Sequence, residues 1–182
     1  MPAYSKPQVA TLLTAVDAAG ANADAKGTAL EDLSKYLFET VPGVQCIGRN
    51  ILDGPRAHEL DLAFWVSETP FGLGFLEAVL IVECKAAGAA VGSAQVAWYA
   101  QKLRTRASRH GILVALNGIT GAADGVSSAH SEVIGSLRDG VRILLLNRDE
   151  IVGLDHTDDL VALMKSKLLR LTLERVVQVD GA

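Results

Sequence analysis

The chain has 182 residues, of which 49% are hydrophobic and 21% are charged, and its formal net charge is −4. This length and hydrophobic content predict one globular domain with a substantial core, and they leave little room for a second domain. The negative net charge excludes a histone-like polycation, so a nucleic-acid partner would need a local basic patch.

Two further features predict the compartment. Cys46 and Cys84 both lie in apolar stretches and form no C-x-x-C pair, so we expect reduced core thiols and a cytoplasmic location. The first residues, MPAYSKPQVATLL, lack a basic head followed by a long apolar stretch. No later run reaches the roughly 18 apolar residues of a membrane span. Neither secretion nor membrane insertion is predicted.

Hydrophobic periodicity predicts two helices, then three strands, and then helices that alternate with strands. Thr28, three residues before Glu31, is expected to cap the second helix in a capping box, and Pro42-Gly43 is expected to end it. The first helix is predicted at 7–19. After the second helix, strands are predicted at 44–49, 58–66, 75–83, 111–116, 141–146 and 172–179, and helices at 95–109, 127–137 and 158–171. The strand at 172–179 is an extra one at the C-terminus.

This order is typical of an α/β fold with a mixed central β-sheet flanked by helices on both faces. Residues 1–182 are expected to form a single domain. Within it we predict an N-terminal helical extension at 1–25, a core at 26–150, and a C-terminal helix and tail at 151–182.

The strand predicted at 75–83 ends in Glu83-Cys84-Lys85. Charges at the end of a buried strand are unfavourable unless they are paired or used. Because side chains alternate along a strand, Glu83 and Lys85 share one face. If this strand and the preceding one form a hairpin about Gly72, paired residue numbers sum to 144, and Asp61 lies opposite Glu83. Glu59 shares the face of Asp61, and we expect it to be solvated rather than a further ligand.

Two carboxylates on adjacent strands offer the hard oxygen ligands that Mg²⁺ takes, usually together with waters and phosphate oxygens. Such an ion can activate a water and stabilise the charge on a phosphodiester under attack. A lysine on the same face can position or deprotonate that water, or neutralise charge in the transition state. The alternative for these three residues is a structural ion pair at the end of a strand.

Asp61 followed by Glu83-Cys84-Lys85, in this order of elements, resembles the PD-(D/E)XK nuclease superfamily with its restriction-endonuclease-like fold. The resemblance spans residues 26–150. The chain lacks the proline of the family motif, because Glu59-Leu60 precede Asp61. The stretch from Gln95 to Tyr99 is similar to the Q-x-x-x-Y motif of the RecB-like branch. The later strand, helix and strand are similar to Mrr-like members, so both branches stay open.

The resemblance implies a Mg²⁺-dependent nuclease that hydrolyses DNA phosphodiester bonds, with Mn²⁺ able to substitute. It assigns the metal to Asp61, Glu83 and the backbone carbonyl of Cys84, and the attacking water to Lys85. Glu31 and Gln95 would support the metal or the DNA backbone, although Glu31 fits the predicted capping box equally well.

A basic cluster follows the supposed active site and can track a phosphate backbone, or it can simply be a solvated helix end. Its members are Lys102, Arg104, Arg106 and Arg109. Cutting both DNA strands requires two active sites, so we expect a homodimer, and a partner protein could supply specificity. The alternatives to a nuclease are a catalytically silent nuclease-fold module that binds nucleic acid or a partner protein, and a metal-dependent hydrolase acting on another substrate.

Overall fold

The computed structural model describes residues 2–52, 54, 59–121 and 129–173. Within these residues an α/β fold contains one five-stranded mixed sheet, six α-helices and a 3₁₀ turn at Leu137–Asp139. The strands are β1 (Val44–Leu52), β2 (Glu59–Val66), β3 (Val79–Lys85), β4 (His110–Ala115) and β5 (Arg142–Leu146). The helices are α1 (Lys6–Ala18), α2 (Ala23–Glu39), α3 (Ser93–Thr105), α4 (Ala129–Ser136), α5 (Arg148–Gly153) and α6 (Thr157–Leu173).

The strands lie in sequence order across the sheet, from β1 at one edge to β5 at the other. β1, β2 and β3 are antiparallel neighbours, whereas β3, β4 and β5 are parallel. The parallel half needs crossovers, which α3 and the segment containing α4 supply. The carboxyl ends of β3, β4 and β5 therefore lie at the same edge of the sheet.

Helices cover both faces of the sheet, as the sequence predicted. Cys84 Sγ lies 3.3 Å from Ser34 Oγ of α2, while the neighbouring Glu83 contacts Lys102 of α3. Because successive side chains of a strand point to opposite faces, α2 and α3 lie on opposite sides of β3. The buried apolar side chains between these layers form one continuous cluster.

The start of α2 differs from the predicted capping box. The helix begins at Ala23, and its N-cap is Asn22, whose side chain accepts a hydrogen bond from Ala25 N. Thr28 lies within the helix, where its carbonyl oxygen accepts from Arg49. The prediction that Thr28 caps this helix was wrong, because Asn22 is a suitable cap one and a half turns earlier.

Two elements near the candidate site begin or end at residues other than those predicted. β3 begins at Val79 rather than residue 75, because a turn closes from Leu76 N to Leu73 O. α3 ends at Thr105 rather than residue 109, since Ala107 adopts a left-handed φ of 53° and Ser108 N bonds back to Leu103 O. This pattern of bonds is a Schellman motif, which terminates a helix.

Towards the C-terminus, α5 was not among the predicted elements. Its signal was visible, because Asn147 and Glu150 form a reciprocal capping box. The strand predicted at 172–179 was wrong at its start, where Thr172 and Leu173 belong to α6, and its remainder lies outside the described residues. His58, the first residue of the strand predicted at 58–66, also lies outside the described residues, as do the first two residues of the helix predicted at 127–137. Among the described helices, none combines the length and apolar character needed to cross a bilayer.

Candidate metal centre

The candidate site is built from the start of β2 and the end of β3. The predicted register is confirmed: Leu62 pairs with Val82, and each further pair also sums to 144. Continuing this register by one residue places Asp61 opposite Glu83. A two-residue alternation along each strand thus directs Asp61, Glu83 and Lys85 towards the α3 face of the sheet.

Asp61 is fixed by the backbone of the opposite strand. Its Oδ2 accepts a hydrogen bond of 2.7 Å from the backbone N–H of Cys84. Burial raises the pKa of Asp61 to about 6, and the Glu83 carboxylate adds to the rise. The Cys84 N–H and the ammonium groups of Lys85 and Lys102 act in the opposite direction. Asp61 is therefore a carboxylate at neutral pH, but one that holds its proton unusually well.

Glu83 is fully buried, and two lysines neutralise it. Lys85 Nζ lies 2.7 Å from Glu83 Oε1. Lys102 Nζ donates to both carboxylate oxygens at 2.8 Å. A carboxylate without access to water is strongly unfavourable unless it is paired in this way. Both oxygens of Glu83 are thus committed to ammonium groups.

Lys102 is the functional residue whose position sequence reasoning missed. It was assigned to a basic surface, yet its side chain is only 6% exposed and lies between α3 and the sheet. The signal was its place on the helix: the buried apolar residues of α3 are Val96, Tyr99, Ala100 and Leu103, and Lys102 follows Tyr99 by three. A lysine on the apolar stripe of a helix requires a buried anion, and Glu83 supplies it.

Lys85 lies at the more open side of the cluster, with 28% of its side chain exposed. Burial acts to lower the pKa of Lys85, but the charge of Glu83 and its hydrogen bond outweigh burial and raise it. Lys85 is therefore an ammonium at neutral pH. It can donate hydrogen bonds and neutralise negative charge, whereas a role in deprotonating a water would require a lowered pKa.

Glu31 lies away from this cluster. It is buried on α2, where Arg49 of β1 donates to it through Nε, and the same guanidinium pairs with Asp32 at 2.7 Å. Arg49 pairs with Leu62 in the sheet, so its side chain is on the α2 face and not on the α3 face of Asp61. The structure therefore gives Glu31 a structural partner and does not bring it into contact with Asp61 or Glu83.

The two motif residues of α3 have structural roles. Gln95 is exposed and caps the helix, with its Oε1 accepting from Gly92 N at 3.1 Å. Tyr99 is fully buried, and its hydroxyl lies 2.9 Å from Ile81 O and 3.1 Å from Ile112 O. Tyr99 thereby fixes α3 onto the junction of β3 and β4. Neither residue contacts the carboxylates among the described residues.

The predicted basic cluster is divided: Lys102 is buried against Glu83, whereas Arg104 and Arg109 line one pocket together with Arg142. Arg104 pairs with Asp139 at 2.7 Å, and Arg106 donates to the carbonyl oxygen of Lys102. Arg109 is exposed and immediately precedes β4, whose Gly111 lies level with Ile81 of β3. Strands advance about 3.3 Å per residue, so Arg109 lies near the end of β3 that is opposite to Lys85.

The donors fit the type of cation expected, but they are few. Asp61, Glu83 and the Cys84 carbonyl would supply hard oxygen ligands of the kind that Mg²⁺ prefers. In the part of the chain that the structure describes, no group of three or more His, Cys, Asp or Glu residues is placed to hold a metal ion. A cation on this site would therefore need additional ligands from water and from a phosphate, and it would have to share the oxygens of Glu83 with two ammonium groups.

Comparisons of the chain with models of protein families, with curated proteins and with solved structures find no match. The assignment of this site consequently depends on its own geometry.

Replacing Asp61 by asparagine is expected to stabilise the metal-free protein above pH 6. The pKa of Asp61 is raised from 3.8 to about 6, so the folded protein binds this proton more tightly than the unfolded chain. In the wild type, the contribution of this proton to the free energy of unfolding is therefore fully present below pH 3.8, and it is lost as pH rises through 6. At pH 8 the ionised carboxylate costs about 1–3 kcal/mol, which asparagine avoids while it still accepts from Cys84 N–H.

Urea unfolding with EDTA at pH 5 and pH 8 would measure this difference. Asp24→Asn, at an exposed carboxylate of α2, is the matched control and should change little. An Asp61→Asn variant that is less stable than the wild type at both pH values would contradict the prediction.

Proposed function

We propose that this protein is a Mg²⁺-dependent nuclease that hydrolyses DNA phosphodiester bonds. The observation that carries the proposal is the placement of Asp61 and Glu83 on adjacent antiparallel strands, with Lys85 on the same face. The sequence resemblance to the PD-(D/E)XK superfamily, with its restriction-endonuclease-like core, and the order of helices and strands around this pair support the same proposal.

In this proposal Asp61, Glu83 and the Cys84 carbonyl hold the cation. When bound, Mg²⁺ would supply Lewis-acid activation of a water and charge neutralisation at the scissile phosphate. Asp61 can present its Oδ1, because its contact with Cys84 N–H uses Oδ2. That backbone contact also fixes the carboxylate, so its orientation does not depend on a mobile side-chain partner.

Lys85 would stabilise the negative charge that develops on the phosphate. The pKa of Lys85 is raised, so it carries an ammonium group, and its side chain is partly exposed. It can therefore reach a substrate while its contact with Glu83 orients it. Preorganised donors of this kind act without reorganising at the moment of reaction, which makes them effective in catalysis.

A second candidate function is a catalytically silent module that binds nucleic acid or a partner protein. One observation favours it: both Glu83 oxygens are paired with lysines in a fully buried position. A site that is already neutral can persist as a structural ion-pair network after catalysis is lost. Cation binding separates the two candidates, since a ligand that binds only the folded state must stabilise it.

We further propose DNA as the substrate, a homodimer for cutting both strands, and a reducing compartment such as the cytoplasm. Both cysteines are free thiols, which supports the last point. Size-exclusion chromatography with light scattering would test the dimer directly.

The decisive experiment is cleavage of linear, nicked, supercoiled and single-stranded DNA, and of RNA, with Mg²⁺, with Mn²⁺ and with EDTA. We expect the wild type to cut DNA only with a divalent cation, and Asp61→Asn, purified in parallel, to lose this cutting. Equal cutting by both proteins would rule out the proposed site. No cutting of any substrate, together with no change in melting temperature at millimolar cation, would favour the silent module.

A further inference from the structure

Lys102 holds Glu83 where a cation would have to bind. Its Nζ spans both carboxylate oxygens at 2.8 Å, and both side chains are shielded from water. A carboxylate has about four lone-pair sites, and the lysine contacts use three of those of Glu83. A cation that binds both oxygens of Glu83 would therefore displace a lysine contact, and one that binds only the fourth site would lie beside both ammonium groups. Lys102 comes from α3 rather than from the strand motif, so it adds a fourth charged group to the cluster.

The four groups balance one another. Asp61 and Glu83 contribute two negative charges, and Lys85 and Lys102 contribute two positive ones. Of the other charged residues on these strands, Arg49 pairs with two carboxylates of α2 on the opposite face of the sheet, and Glu59, on the face of Asp61, is exposed to solvent. A divalent cation added to a neutral, largely buried cluster leaves an excess of two positive charges, which is unfavourable in a medium of low polarity.

Lys102 cannot remove this excess by moving into solvent. Its side chain is 6% exposed, and Tyr99 fixes α3 to the sheet through two backbone carbonyls one turn earlier. If a cation displaced Lys102 from Glu83, the ammonium would therefore stay inside the cluster. An anion from outside would restore the charge balance, and a phosphate of the substrate has the required charge and oxygens.

We infer that Lys102 is a positioning residue that competes with the divalent cation for Glu83, so that cation and phosphate-bearing substrate bind cooperatively. The inference rests on the proposed function and deepens it. By linkage, substrate raises the affinity for the cation by the same factor by which the cation raises the affinity for substrate.

The test is Mn²⁺ binding followed by electron paramagnetic resonance of the free ion, with and without a short phosphorothioate DNA duplex. For the wild type we expect the duplex to tighten Mn²⁺ binding by about tenfold or more. Lys102→Met keeps the unbranched shape of the side chain, one atom shorter, and removes its charge. It is expected to bind Mn²⁺ about tenfold more tightly than the wild type without DNA, and to show a smaller effect of the duplex.

Lys35→Met is the matched control, because it makes the same change of net charge at an exposed position of α2. It should bind Mn²⁺ like the wild type. If Lys102→Met does not fold without cation, recovery of its folded circular dichroism spectrum on adding Mn²⁺ supports the inference. Lys102→Gln retains a neutral donor for Glu83 and should also bind Mn²⁺ more tightly than the wild type.

Two negative results are distinguishable. If the wild type binds Mn²⁺ but neither Lys102 variant binds it more tightly, the role assigned to Lys102 is overturned while the proposed nuclease site stands. If the wild type and both variants fail to bind Mn²⁺ even with DNA, the metal site itself is overturned, and the inference with it.

Discussion

Replacing Lys85 by methionine is expected to lower the rate of DNA cleavage by about 10²–10³-fold, the usual cost of removing one preorganised donor from a transition state. Lys85 is the cluster's more exposed ammonium, so it can face a substrate phosphate. The fold should survive the change, because Glu83 keeps both contacts with Lys102. Single-turnover cleavage of the best substrate, with saturating Mg²⁺, measures the effect on the chemical step.

Lys35→Met again provides a control for the change of net charge, and its rate should equal that of the wild type. Mn²⁺ binding by Lys85→Met should be retained, since the lysine is not a ligand. A Lys85→Met protein that cuts DNA at the wild-type rate would show that Lys85 has no role in the reaction. Loss of cutting together with loss of Mn²⁺ binding would instead assign Lys85 to assembly of the site.

Replacing Glu83 by alanine is expected to lower the free energy of unfolding by about 3–5 kcal/mol, because it leaves a buried ammonium without its partner. The affected group is Lys102, whose side chain has almost no access to water. The loss should exceed that of Lys85→Met, where only a partly exposed contact disappears. Urea or guanidinium unfolding, followed by circular dichroism without metal, measures the difference.

The double variant Glu83→Met/Lys102→Met tests the cause. Well-packed apolar residues can replace a buried ion pair with little loss of stability, so the double variant should recover most of what Glu83→Ala loses. Both single and double variants should be inactive, which separates stability from cleavage. If the double variant is as unstable as Glu83→Ala, the volume of the side chains rather than the unpaired charge limits stability.

The sequence allowed the central geometry to be predicted because that geometry depends on local rules. Alternation along strands and a hairpin symmetric about Gly72 were sufficient to place Asp61 opposite Glu83. The observed register follows the same arithmetic through four pairs. The apolar run that ends at Glu83 likewise predicted a buried strand. No long-range information was needed for this part of the site.

The remaining contacts depend on tertiary packing, which residue spacing does not report. Lys102 reaches Glu83 only because α3 crosses over the carboxyl-terminal half of β3. Glu31 is removed from the candidate site by Arg49, a residue of an edge strand that carried no motif. Thr28 was a plausible cap on its own, and only the earlier start at Asn22 excludes it. The errors at Lys102 and Glu31 arose where a second element supplied the partner, whereas the error at Thr28 was a local one within α2.

The buried ion pair of β3 and α3 also constrains how this chain can change in evolution. A single substitution at Glu83 leaves the buried ammonium of Lys102 without its partner, and one at Lys102 leaves the buried Glu83 with Lys85 alone. Paired substitution to apolar residues removes both buried charges. Lys85 and Asp61 carry no such restriction, because both have some contact with solvent. In homologous chains we therefore expect positions 83 and 102 to covary, whereas positions 61 and 85 are freer to change one at a time.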